Sequence, residues 1–138
     1  MNEPKCPFST IQASGACACR HAREVVRRGG SEYDCNDADK HARCVALVSH
    51  LNTRALPALG YEDDLTLTPK SVYERILLGG LQGLDAEAGS GTSQDGIADI
   101  WPVVADALGR HGAPSHIPDT AFVPAIEACE IRKRRRRR

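Results

Sequence analysis

The chain has 138 residues, which fits one domain. Its formal net charge of zero, from 18 basic and 18 acidic residues, hides a division: residues 132–138 are all basic, so residues 1–131 hold 11 basic against 18 acidic side chains and carry −7. An acidic body argues against nucleic acid as the main partner of the folded part. With one Trp, two Phe and three Tyr, the core must come from Leu, Val, Ile and Ala, which suits packed helices.

No basic start with an apolar run and a small-residue cleavage site opens the sequence. No stretch approaches the roughly 20 apolar residues of a membrane-spanning helix. The expectation is a cytoplasmic protein without a transmembrane segment, in a compartment where thiols stay reduced.

In chain order, residues 1–19 read as irregular, because Pro4, Pro7, Ser9, Ser14 and Gly15 interrupt any helical period. Residues 20–28, RHAREVVRR, read as a short helix ended by Gly29 and Gly30. Asn36 or Asp37 is a candidate N-cap for a helix over about 38–55. His41, Cys44, Val48, Leu51 and Ala55 recur on one face of it. Pro57 and Gly60 then break the chain, and residues 61–67 form an acidic connector holding Glu62, Asp63 and Asp64. A helix over 69–78 follows, with Val72, Tyr73, Ile76 and Leu77 as its apolar stripe and Gly79–Gly80 as its stop. Residues 85–96 read as a flexible polar loop. A helix over about 97–108 places Ile97, Ile100, Val104 and Leu108 on one face, its regular part beginning near Asp99 because of Pro102. A last short helix begins near Ala121. The fold class predicted is all-α, a small bundle of four to five short helices with an irregular Cys-rich N-terminal segment. It occupies residues 1–131, followed by a disordered basic tail over 132–138.

The chemistry concentrates in residues 6–44, which hold Cys6, Cys17, Cys19, Cys35 and Cys44. Their spacing is neither the C-x2-C-x2-C run of bacterial ferredoxins nor the paired C-x2-C of a zinc ribbon. Thiolates are soft ligands that select iron–sulfur clusters, zinc or Cu(I). Met1 is the only Met, which disfavours copper. A cluster is wider than one ion and accepts scattered cysteines, and Arg20, Arg23, Arg27 and Arg28 would offset its negative charge. Five thiols exceed the four needed, so one is spare. The adjacent pair Cys17 and Cys19 is expected to ligate. Cys35 precedes a helix N-terminus, where the dipole would favour a thiolate. His21 and His41 are candidate ligands or donors to ligands. Zinc is the alternative metal. The bland account is that these cysteines are small buried hydrophobes, and Cys129, far from the others, suits it.

No P-loop, GxGxxG, HExxH or GxSxG motif is present. Residues 79–83, GGLQG, resemble a phosphate loop only loosely, and helix termination accounts for them. The sequence therefore points to a small iron–sulfur-cluster-binding protein, acting in electron transfer or cluster delivery to a partner enzyme rather than as an enzyme itself. The contrasting possibility is a helical interaction module, or a structural zinc protein, that docks through its acidic body or basic tail. The tail offers contact with nucleic acid or an anionic surface.

Overall fold

A computed structural model describes residues 4–28, 30–62, 67–87, 97 and 99–129. In chain order these form α1 (Ser9–Ala13), β1 (Ala22–Arg27), β2 (Gly30–Cys35), α2 (Ala38–Leu59), α3 (Lys70–Glu87), α4 (Ile100–His111), 3-10 turns at Pro114–His116 and Asp119–Ala121, and α5 (Val123–Ala128). The protein is mostly helical, as expected, but it is not strictly all-α. Asp63 and Asp64, most of the 85–96 loop, Gly29 and the basic tail lie outside the described residues.

The departure is at residues 20–28, where a hairpin replaces the expected helix. β1 and β2 pair antiparallel, with Ala22 opposite Cys35 and Arg27 opposite Gly30. Two physical reasons favour the strand. Val25 and Val26 are adjacent β-branched residues, stiff in a helix and well suited to a pleated surface. Gly30, at φ +119, permits the tight reversal between the strands. Residues 4–6 run beside β2, with the Cys6 N–H donating to the Tyr33 carbonyl and the Cys35 N–H to the Pro4 carbonyl, each at 2.8 Å. The segment 1–19 is likewise not wholly irregular, because residues 9–13 make one helical turn.

Asp37 is the N-cap of α2, its Oδ1 accepting from the Lys40 N–H at 3.0 Å. The helix runs on to Leu59 rather than stopping near Ala55. Pro57 lies in its last turn on the exposed side, where few ladder bonds remain to be lost. Gly60 closes it at φ +85, with the Gly60 N–H donating to the Pro57 carbonyl and the Tyr61 N–H to the Leu56 carbonyl. Cys44, Leu47, Leu51 and Ala55 form the buried stripe.

Gly79 and Gly80 do not stop α3, which continues to Glu87. They and Gly83 are points of close approach. A Cβ on Gly79 would stand 2.6 Å from the Ile126 Cα, and one on Gly83 would stand 2.6 Å from the Ala121 carbonyl oxygen. One on Gly80 would meet Leu51 Cδ1 at 2.8 Å. Glycine costs about 1 kcal/mol against alanine within a helix. Here its missing side chain lets α5 and the turn before it lie directly on α3. The core is built from fully buried Leu47, Leu51, Ile76, Leu81, Phe122 and Ile126, among others. α4 starts after Asp99 as expected, with Pro102 in its first turn. Among the described residues no helix is long and apolar enough to cross a membrane.

These contacts separate two kinds of glycine. Gly83→Ala should lower stability by about 1–3 kcal/mol through overpacking. Gly109→Ala, in α4 with nothing within 4 Å of the added methyl, should raise it by about 0.5–1 kcal/mol. Urea midpoints of the two variants check both signs, and equal effects would contradict the close-approach account.

Candidate functional site

Four of the five N-terminal cysteines meet at one cleft. Cys6 arrives from the strip of chain beside β2, Cys19 from the loop before β1, Cys35 from the last residue of β2 and Cys44 from the second turn of α2. The cleft is narrow and opens to solvent at its mouth. Phe8 and Ile100 give it apolar walls, while His21, Lys40, His41 and Trp101 complete it. Cys6, Cys35 and Cys44 are buried and Cys19 is partly exposed.

Cys17 is buried but does not line the cleft. Its strip of chain is stitched to the approach of α4. The Ile97 N–H donates to the Ala16 carbonyl at 3.1 Å, and the Ile100 N–H to the Ala18 carbonyl at 2.8 Å. These bonds fix the path of residues 16–19 and deliver Cys19 to the first turn of α4. Cys129 stands elsewhere, against α3, where a Cβ on Gly79 would lie 3.0 Å from its own Cβ. It is buried core, as expected. None of the six cysteines is in a disulfide.

The sulfurs differ in their hydrogen bonds. Cys6 Sγ accepts from the Phe8 backbone N–H and from Gln12 Nε2, the latter at 3.2 Å. Cys19 Sγ accepts from the backbone N–H groups of His21 and Trp101. Trp101 is in the first turn of α4, so it is Cys19 that meets a helix N-terminus. Cys35 does not, despite preceding α2, because its thiol instead donates to the Asp37 carbonyl at 3.3 Å. Burial dominates the acidity. It pushes Cys6 up to about 11 and Cys17 and Cys44 up to about 12, with smaller contributions from neighbouring thiolates, and raises Cys19 as well. Such thiols are protonated and poorly nucleophilic at neutral pH. They become thiolates where a metal replaces the proton.

Of the arginines expected near the thiols, Arg20, Arg23 and Arg28 do not line the cleft. Arg20 pairs with Asp99, Nε to Oδ2 at 2.6 Å, and its backbone N–H donates to the same carboxylate. Arg23 and Arg28 are exposed on the hairpin, and Arg27 is described only through its backbone. The expectation rested on closeness in sequence, and the hairpin leaves the Arg23 and Arg28 side chains exposed. The cation at the cleft is Lys40, whose Nζ is 3.1 Å from Asp37 Oδ2 and 5.2 Å from the Trp101 ring centre. His41 Nε2 lies 3.0 Å from the Lys5 carbonyl, and His21 stands edge-on to Trp101.

Among the described residues, no three His, Cys, Asp or Glu side chains gather tightly enough to hold a single metal ion. The four thiols share a cleft but are not drawn to one point. Sequence reasoning missed Gln12, Lys40 and Trp101. Lys40 was findable, since it precedes Cys44 by four residues on one helix. Gln12 and Trp101 meet the cysteines only through tertiary structure. Comparisons with protein-family models, with curated proteins and with solved structures find no match.

The raised thiols give the metal-free protein an alkaline limit. A thiol whose value is raised by folding contributes stability that is complete below its ordinary value of 9.0 and is lost as pH rises through its folded value. For Cys44 that window runs from about 9 to about 12. Chelated, reduced wild type should therefore lose urea stability between pH 9 and 11 faster than Cys44→Ala does. Parallel losses would show that burial of this thiol does not set the limit.

Proposed function

We propose that this chain is a small iron–sulfur-cluster-binding protein acting in electron transfer or cluster delivery to a partner enzyme. The observation that carries the reading is the convergence of Cys6, Cys19, Cys35 and Cys44, from four separate parts of the fold, on one cleft. Cys6 and Cys44 also belong to the hydrophobic core, and a shared ligand would account for four thiols reaching one cleft from separate elements. These four cysteines would hold the cluster, and Cys17 is the spare.

Two further features fit a cluster. The ligands are all sulfur, which suits iron–sulfur chemistry. Backbone and side-chain N–H groups already point at two of the sulfurs, the kind of contact that offsets charge on cluster thiolates. When bound, the cluster supplies one-electron chemistry. The chain's part is to bury the sulfurs, satisfy their charge and limit the access of water through the cleft mouth. Trp101 and Lys40 sit at the cleft, where a partner could approach it.

Anaerobic purification or reconstitution tests the reading. The expected product is brown, with broad visible absorption and matched iron and sulfide content. A colourless protein without bound iron would favour the helical interaction module, and zinc in place of iron would favour the structural zinc protein. Single Cys→Ser changes at positions 6, 19, 35 and 44 should each lower bound iron strongly, while Cys17→Ser should leave it nearly unchanged. Iron loss in Cys17→Ser equal to that in Cys19→Ser would restore Cys17 as a ligand.

Hydrogen exchange checks the coupling between site and fold. Residues 4–35 bury few large apolar side chains, chiefly Phe8 and Ile11, and ligation links folding to binding. Loading should protect this region while α2 and α3 stay protected in both forms. Equal protection of residues 4–35 with and without metal would mean that packing alone orders it.

A further inference from the structure

Gln12 is a buried amide, 4% exposed, on the short helix α1. Its neighbours in sequence and space include Phe8 and Ile11, both fully buried. Burying an amide among such groups is costly unless its hydrogen bonds are made. Its Nε2 donates to Cys6 Sγ at 3.2 Å. A neutral thiol is a weak acceptor, so it repays that burial poorly. A thiolate, charged and polarisable, is a much better one. The placement of the donor makes sense if Cys6 carries negative charge in the working protein.

The local frame holds this geometry. The Ser9 N–H donates to the Cys6 carbonyl at 3.0 Å, and the Gln12 N–H to the Phe8 carbonyl at 3.2 Å. Ser9 Oγ in turn accepts from the Tyr33 N–H at 3.0 Å, which ties the first turn of α1 to β2. Cys6 is itself tied to β2 through the Tyr33 carbonyl. The thiol and the amide are thus positioned by the same strand.

We infer that Gln12 is a positioning residue that raises the reduction potential of the site by donating Nε2–H to the sulfur of Cys6. The inference rests on the cluster reading given above. With a cluster bound, one-electron reduction by an external reductant such as dithionite would add negative charge at the ligand sulfurs, Cys6 Sγ among them. A donor at Cys6 stabilises the more negative state preferentially, so it favours reduction. Removing the donor disfavours it.

The test is a redox titration of the reconstituted full chain with dithionite, followed by visible absorption and electron paramagnetic resonance. Gln12→Met keeps the side-chain length and removes the donor. It should keep its iron and sulfide and shift the midpoint potential to a more negative value. Gln12→Glu is nearly isosteric, replaces the donor with an acceptor, and should shift the potential further in the same direction when ionised. Gln12→Asn retains the amide on a shorter stem and guards against a Met variant that does not fold. It should fall between wild type and Gln12→Met. Wild-type potential in the variants that retain full iron would overturn the inference while leaving the cluster reading intact. A wild-type protein that binds no cluster overturns both. A variant series that changes thermal stability alone, with the potential constant, would make Gln12 a packing residue.

Discussion

Two short runs of backbone hydrogen bonds hold the site together. One joins residues 4–6 to the end of β2, and the other joins residues 16–18 to Ile97 and Ile100. Neither is part of a long regular element, and both link distant parts of the sequence. Without them Cys6 and Cys19 would lie on unanchored chain. With them, each is held against a rigid partner: Cys6 against the strand that carries Cys35, and Cys19 against the helix start that supplies the Trp101 N–H. Cys44 needs no such device, because α2 places it on its buried face. The cleft is thus a product of long-range pairing, with order in the first third of the chain borrowed from the helices after it.

Burial gives the thiols a double character. As neutral groups they behave as small hydrophobes and are compatible with a packed core. As thiolates in the same surroundings they would be costly, which is why their values rise to about 11 and 12. Ligation by a metal under the proposed function must therefore displace several protons, and loading should weaken as pH falls. Burial that favours the protonated thiols also keeps them weakly nucleophilic.

What was legible in the sequence follows from which interactions are local. α2 was legible from its cap Asp37 and its apolar stripe, and the start of α4 from Asp99 and Pro102, because caps and periodicity act within a few residues. The hairpin was misread because the Arg-rich composition of 20–28 suggested a helix end. Pairing with 30–35, and the Val25–Val26 pair, decided the outcome. The glycines of α3 were misread for a related reason. Alone, Gly79–Gly80 is a stop signal. Pressed against Ile126 and Leu51, it is the only residue type that fits. At the site, cysteine density pointed to the region where the cleft lies, but only the fold distinguishes Cys17 from the four cysteines that line it. The arginines misled because closeness in sequence does not fix where a side chain lies.

The shortest α-helix bears on this most. α1 has five residues, no side-chain cap, and no charge in its terminal turns. A helix that short does not persist in water, since nucleation costs more than one or two bonds return. It persists here because Phe8 and Ile11 are fully buried and Ser9 is tied to Tyr33. Its geometry is therefore a readout of the register of β2. A one-residue slip of that strand would exchange the faces of Tyr33, Asp34 and Cys35. It would also withdraw the carbonyl that holds Cys6 and the N–H that holds Ser9. The thiol of Cys6, its amide donor and the thiol of Cys35 would then be lost together. The position of the four sulfurs and the polarity around them are in this sense a single property of the hairpin, which is why an N-terminal third poor in apolar residues can still define a site.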